Sequence, residues 1–324
     1  MITGTTETLV ERKDVRLRVF HAGHGPLVVL LHGFPELAYS WRHQFAPLVA
    51  AGFRVAAPDQ RGYGGSSSPP NIEEFSLEEL AADVVAVIDH FGEQSAVVIG
   101  HDWGAPVAWR TALRYPERVH AVGSLSVPHA KRSSRPPLEL MREVVGPGFI
   151  HYVDYFQEPG RVELEFEADV RASLLGFMWS ICGDAPREER FKPILTNGRF
   201  LDSIVVPPDL PKWLTAEDLE VYTTEFRRTG FRGGLNWYRN MTRNWEESAN
   251  LGDVVQQPAF FVTGSRDPAR NPTAMAHLLE VAPNLLIAEV LEDCGHWTQQ
   301  ERPERVSELL TEFVQATADG SRTM

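Results

Sequence analysis

Cysteine is scarce in this chain of 324 residues. Its two cysteines, Cys182 and Cys294, lie far apart and lack metal-ligand spacing. A disulfide-built scaffold is therefore excluded, no metal site is expected, and a reducing compartment fits. Positive charge is short too: 31 Lys and Arg stand against 44 Asp and Glu, a formal net charge of -13. That balance argues against a nucleic-acid partner and gives no help towards anionic substrates. The short basic stretches Lys131-Arg132 and Arg232…Arg239 read as solvated faces or local ion pairs. Long apolar runs are missing: Leu27–Leu31 and Ala259–Val262 are far too short to span a bilayer. The N-terminal residues lack the basic-then-apolar order of a signal peptide. The expectation is a cytoplasmic protein without an integral membrane segment.

What is present is an ordinary core-forming composition, 43% hydrophobic. Thr8–Ala22 reads as two strands meeting near Lys13-Asp14, and Leu27–Leu31 and Phe53–Ala57 as buried strands. Leu77–Phe91 has a helical apolar face (Leu80, Val84, Val87, Ile88), with Ser76 as N-cap and Glu79 completing a capping box. Strands Ala96–Ile99 and Val119–Ser126 flank a helix that Pro116 stops. Strands alternating with helices predict a mostly parallel central sheet flanked by helices, an α/β fold. The rhythm breaks at a Pro- and Ser-rich linker after Pro128, turns helical and aromatic to about Trp245, and resumes at Gln257–Val262 and Leu285–Leu291. The organisation expected is a core of residues 1–128 and 247–324 interrupted by a helical cap of residues 129–246.

The most informative segment is Gly100-His101-Asp102-Trp103-Gly104, placed after the apolar run Ser95–Ile99. A strand, a tight glycine-flanked turn and a helix make a nucleophile elbow, but its apex is an aspartate rather than a serine. A carboxylate is ionised at neutral pH and attacks a saturated carbon without a base to take its proton. Strained or good leaving groups, epoxides and alkyl halides, suit it. His101 is expected to pack away from the apex.

In the chain order of this motif an acid and then a histidine follow the nucleophile. His296, in Asp293-Cys294-Gly295-His296-Trp297 past the last strand, is the histidine candidate. Asp267, in Thr263-Gly264-Ser265-Arg266-Asp267, is the acid, with Asp253 and Asp293 as competitors. Its role would be to fix the imidazole tautomer. His32-Gly33-Phe34-Pro35 follows a neighbouring strand, so the backbone N–H groups of Phe34 and Trp103 are the expected oxyanion-hole donors.

Together with Asp59-Gln60-Arg61-Gly62-Tyr63-Gly64 and Gly295-His296-Trp297, these segments resemble the soluble epoxide hydrolases of the α/β-hydrolase superfamily. The likeness runs from about Leu9 to Phe313, is nearest to bacterial, actinobacterial-like members, and lacks the N-terminal phosphatase domain of the mammalian enzymes. It implies an α/β-hydrolase fold with an inserted helical cap. Tyr155-Phe156-Gln157-Glu158-Pro159-Gly160 and Gly230–Asn240 are similar to the family's two lid-tyrosine segments. The resemblance thus implies that Tyr155 and Tyr238 donate to the epoxide oxygen, with Tyr152, one turn earlier, as the competitor of Tyr155. It also sets Pro35, Trp103 and Trp297 beside the substrate. After Asp267, Pro268-Ala269-Arg270-Asn271-Pro272 is more polar than the family pattern.

The reaction expected is hydrolysis of a small apolar epoxide by water to a vicinal diol, through an ester on Asp102, with no cofactor, by a monomer or homodimer. A haloalkane or haloacid dehalogenase uses the same aspartate and is the alternative, although Phe34 stands where asparagine is common in that group. A non-catalytic ligand receptor on the same scaffold is the third reading. Phe149, Phe177, Met178, Trp179 and Trp213 supply an apolar lid.

Overall fold

The structure is a computed structural model and describes residues 2–318. The termini of the expected core, residue 1 and residues 319–324, lie outside the described residues. Eight strands form one sheet: β1 (Thr6–Arg12), β2 (Val15–Ala22), β3 (Leu27–Leu31), β4 (Arg54–Pro58), β5 (Ala96–His101), β6 (Val119–Leu125), β7 (Ala259–Gly264) and β8 (Leu285–Leu291). Their order is β1-β2-β4-β3-β5-β6-β7-β8. β2 pairs antiparallel with β1 and β4; every later pair is parallel. The turn between β1 and β2 falls at Lys13, which has φ 51°.

Strand periodicity builds two hydrophobic layers. Leu27, Val29 and Leu31 of β3 join Ala96 and Val98 of β5 on one face, under helices α2 (Leu77–His90) and α3 (Gly104–Arg114). Val28 and Leu30, with Val97 and Ile99, face helix α1 (Phe45–Ala50) and the C-terminal helix, Pro303–Ala318. β3 and β5 are thus buried on both sides, which is why they read as continuous apolar runs.

Between β6 and β7 the chain is predominantly helical: α4 (Pro137–Val144), α5 (Tyr152–Tyr155), α6 (Arg161–Ala168), α7 (Val170–Ser180), α8 (Ala216–Thr229), α9 (Arg232–Arg239) and α10 (Met241–Glu247). Two residue pairs, Phe149–Ile150 and Ile194–Leu195, add a short antiparallel ladder. No described helix is long and apolar enough to cross a membrane.

Glycine lets this helical layer sit close to the sheet domain. A Cβ on Gly233 would collide with the backbone of Gly62, and one on Gly234 with Tyr63. Helix α9 therefore lies directly on the 60–64 loop, and the Trp237 indole N–H donates to the Arg61 carbonyl at 3.2 Å. The N-cap expectation at Ser76 is corrected in its chemistry. Ser76 stands at the cap position but its hydroxyl makes no capping bond. Instead the Leu77 N–H donates to the Asn244 side chain at 2.8 Å, so a residue of α10 caps a helix of the core.

Candidate active site

The elbow is built by close backbone packing. A Cβ on Gly100 would strike the Gly104 carbonyl, and one on Gly104 would strike the Leu31 carbonyl. Those absences let β5 turn into α3 within three residues. At the apex Asp102 has φ 50°, the left-handed region that a side-chain-bearing residue occupies only under constraint from its surroundings.

The Asp102 carboxylate divides its two oxygens between two partners. Oδ1 accepts the Phe34 N–H at 2.8 Å, and Oδ2 lies 3.4 Å from His296 Nε2. The Trp103 N–H makes no hydrogen bond among the described residues. The Phe34 loop is itself fixed: neutral His32 donates from Nδ1 to the Gly33 carbonyl at 2.9 Å and accepts the Gln60 N–H on Nε2 at 3.0 Å. Burial holds the His32 pKa below its ordinary value, which fits those roles.

Behind His296, Nδ1 donates to Asp267 Oδ1 at 2.9 Å. Asp267 also accepts the Ala269 N–H at 2.8 Å, so the polar Pro268–Pro272 stretch supports the acid rather than displacing it. The competing acids are turned elsewhere: Asp253 takes the Arg132 N–H, and Asp293 pairs with Arg266. Burial alone would keep His296 neutral, but the Asp267 and Asp102 carboxylates outweigh it and hold its pKa well above the ordinary value. Asp102 responds in kind. Burial pushes its pKa up, but His296, His101 and the Phe34 N–H overcome that and leave it below the usual carboxylate value.

A cavity of about 110 Å³ lies over Asp102 and His296, walled by Phe34, Phe177, Ile181 and Phe191. Tyr152 and Tyr238 border it; Tyr155 does not. The rings of Tyr152 and Tyr238 stand 6.1 Å apart, and burial with the Asp102 charge raises both phenol pKa values. Tyr155 is turned into α6, where its hydroxyl donates to Glu165 and Arg161 lies 3.9 Å over its ring. The expected pairing of Tyr155 with Tyr238 is therefore not what the geometry brings together; Tyr152 takes that place. Helix α5 has only four residues, and two tyrosines one turn apart could not be assigned to faces from spacing.

Trp103 packs edge-on against Tyr238 at 5.0 Å and lines a cavity together with Asp102. Pro35 and Trp297 are buried but do not border the cavity over Asp102 and His296. The Trp297 indole N–H donates to the Met178 carbonyl at 2.8 Å and its ring packs 4.8 Å from His296. Among the named lid aromatics and Met178, Phe177 alone borders the cavity.

Two buried carboxylates were not singled out from sequence. Glu36 accepts from His101 Nδ1 at 2.7 Å, from the Gly33 N–H at 3.1 Å and from the amides of Gln299 and Gln300. His101 Nε2 in turn donates to the His296 carbonyl at 2.8 Å, so this residue is a hydrogen-bonded tie rather than the packing group expected. Glu301 accepts the N–H groups of Gly183 and Gly295 on one oxygen, both at 2.8 Å, and that of Trp297 on the other at 3.0 Å. It joins the end of α7 to the loop that carries His296. Nothing in the sequence pattern distinguishes Glu36 or Glu301 from surface glutamates.

The family model for the α/β hydrolase fold matches residues 26–303. Epoxide hydrolase A of Mycobacterium tuberculosis is 44% identical over 314 residues, covering 95% of this chain and 97% of that protein. An epoxide hydrolase from an endophytic Streptomyces superposes with a TM-score of 0.93 at 42% identity, covering 98% of this chain and 97% of the other. The crystal structure of epoxide hydrolase A from Mycobacterium thermoresistibile gives 0.90 at 46% identity, covering 96% and 98%.

Proposed function

This chain belongs to the α/β-hydrolase family and, within it, to the epoxide hydrolases, which form vicinal diols through an ester on an aspartate; we propose that Asp102, His296, Asp267, Tyr152 and Tyr238 do this work here. The observation that carries the reading is an anionic Asp102 facing two phenols across one cavity, with the His296–Asp267 pair behind it.

Ring opening begins with Asp102 Oδ2 attacking an epoxide carbon, while Oδ1 stays on the Phe34 N–H and becomes the ester carbonyl oxygen. The breaking C–O bond leaves its electrons on the epoxide oxygen, which takes a proton from Tyr152 or Tyr238. Even with a raised pKa, a phenol is a stronger acid than an aliphatic alcohol, so the transfer runs downhill. A halide leaves without needing a proton, so paired phenols favour an epoxide over an alkyl halide.

Esterification then changes the electrostatics of the whole site. The negative charge on Asp102 disappears, and with it one of the two anions that hold His296 protonated. The imidazolium gives up its proton, through solvent, to the phenolate that ring opening left behind, and becomes a competent base as its substrate, the ester, appears. It takes a proton from water, the hydroxide adds to the Asp102 carbonyl carbon, and the Phe34 and Trp103 N–H groups hold the oxyanion. Collapse restores the carboxylate, the departing diol oxygen takes the remaining proton of the attacking water, and His296 is left protonated as it began. The lining is apolar, which supports a small apolar epoxide as substrate, and the buried unpaired thiols of Cys182 and Cys294 support a cytoplasmic setting. Nothing in this route requires a second copy of the chain, and monomer or homodimer serves equally.

Intact-protein mass tests the scheme. His296→Gln exposed to styrene oxide is expected to gain the mass of the whole epoxide. A haloalkane leaving only its alkyl group, with no epoxide adduct, would make this a dehalogenase. Unchanged turnover and no adduct would remove Asp102 and His296 from their roles.

A further inference from the structure

The basic stretch Arg232…Arg239 is only in part the solvated face expected of it. Arg232 is exposed and donates to the carbonyls of Pro69 and Pro70. Arg239, at the other end of α9, has a side chain only 3% exposed and pairs with Glu163 of α6 at 2.8 Å. The rest of its fork crosses to the chain that leaves α5. Nε donates to the Phe156 carbonyl at 3.0 Å, and Nη2 to the Glu158 carbonyl at 3.3 Å.

A second bridge runs the opposite way, from the end of α5 to α9. The Gln157 side-chain amide donates to the Val153 carbonyl at 2.8 Å and to the Tyr238 carbonyl at 3.0 Å. Both partners are carbonyls, so only the amide nitrogen can face them and the side chain has one orientation. The Gln157 N–H goes to the Asp154 carbonyl at 3.2 Å, and the side chain serves the carbonyl that an α-helical N–H would have taken. The two bridges bracket the phenols. Val153 adjoins Tyr152, the other acceptor of Gln157 is the carbonyl of Tyr238 itself, and Arg239 is the next residue along.

We propose that Gln157 and Arg239 are positioning residues for ring opening, which hold α5 and α9 in the one register where the Tyr152 and Tyr238 phenols converge on the epoxide oxygen. The inference rests on the epoxide-hydrolase reading of that site. A helix of four residues has no cooperative stability of its own and takes the roll that its partners impose. Bonds to main-chain carbonyls act on the helix rather than on one side chain, so losing them turns the phenol with its backbone. Neither Gln157 nor Arg239 borders the cavity over Asp102 and His296, and each acts through the tyrosines. Two donors must reach one oxygen, and a misplacement of about 1 Å costs on the order of 10²-fold in rate. His296 and Asp267 are held by other partners, so breakdown of the ester does not depend on either bridge.

Gln157→Met keeps the length of the side chain and removes both donors. Stopped-flow single turnovers of styrene oxide are expected to show ester formation slowed by roughly 10- to 100-fold, with full amplitude and an unchanged rate of ester breakdown. Arg239→Lys keeps the charge opposite Glu163 but not the planar fork, and slows the same step by a smaller factor. It is also the milder change, and reads that step should Gln157→Met fold poorly. On a Tyr152→Phe, Tyr238→Phe background, Gln157→Met should slow ester formation by no more than about twofold further, because the groups it acts through are gone. A loss that multiplies in full on that background, a loss shared equally by both steps, or variants at wild-type speed would overturn the positioning role and leave the hydrolase reading intact. A wild type that forms no ester from any epoxide overturns the reading beneath it.

Discussion

The sheet half of the site and the helical half hold their reactive groups by different means. Asp102, Asp267 and His296 sit just beyond the ends of the parallel strands β5, β7 and β8 of one sheet, where backbone contacts fix them: the elbow closes on Gly100 and Gly104, and Asp267 is held by the Ala269 N–H. Tyr152 and Tyr238 come from short helices, α5 and α9, and their direction depends on how each helix is rolled against its neighbours. Strand ends transmit position through the chain itself, whereas a four-residue helix takes its orientation from side-chain packing. On the proposed route the halves also divide the chemistry, with the phenols serving ring opening and the His296–Asp267 pair breakdown of the ester.

That division can be broken at graded cost. Asp102→Ala removes the group common to both steps, and turnover is expected to fall by at least about 10⁴-fold. A thermal melt run beside the assay separates this loss from unfolding. Asp267→Asn leaves ring opening intact and slows ester breakdown by roughly 10³- to 10⁴-fold, the scale for a misoriented tautomer. It also moves the acid limb of kcat to lower pH. Asp267 raises the His296 pKa, the neutral imidazole is the base, and lowering that pKa extends the neutral form downwards. A limb that stays in place would take Asp267 out of this role.

Tyr152→Phe and Tyr238→Phe are expected to slow adduct formation by about 10²- to 10³-fold in the double variant, without accumulation of ester. Stopped-flow single turnovers distinguish this from the Asp267 pattern, and a double variant at wild-type speed would empty the lid of its chemistry. The smallest effect belongs to Tyr155→Phe. Activity should stay within about twofold, with a stability loss of about 1 kcal/mol for the hydrogen bond to Glu165. If Tyr155→Phe stops ring opening while Tyr152→Phe does not, the two tyrosines exchange roles.

The same contrast governs what could be read from the chain beforehand. β5 was legible to within two residues, because a strand buried on both faces must be apolar throughout, and β8, a half-exposed edge strand, to the residue, because Pro283-Asn284 and Glu292-Asp293 bound it. Asp102 and His296 were legible because each follows a strand in a fixed order. Tyr155 was favoured over Tyr152 since nothing local records that Arg161 and Glu165 capture its phenol. Glu36 and Glu301 were invisible for a related reason: their partners are backbone amides and residues up to 264 positions away, and a glutamate's own neighbours say nothing of either.

The Glu301 clamp bears on how the lid breathes. Peeling the Gly183 segment from the His296 loop strips one backbone donor from a buried carboxylate, breaks the His296 N–H bond to the Ile181 carbonyl at 3.0 Å, and leaves each lost partner unsolvated. The lid is riveted at that corner. Hydrogen exchange reads this directly: the Gly183 and Gly295 amides should be among the slowest in their loops. His296 thus answers to the helical layer for its backbone as much as to the sheet for its side chain.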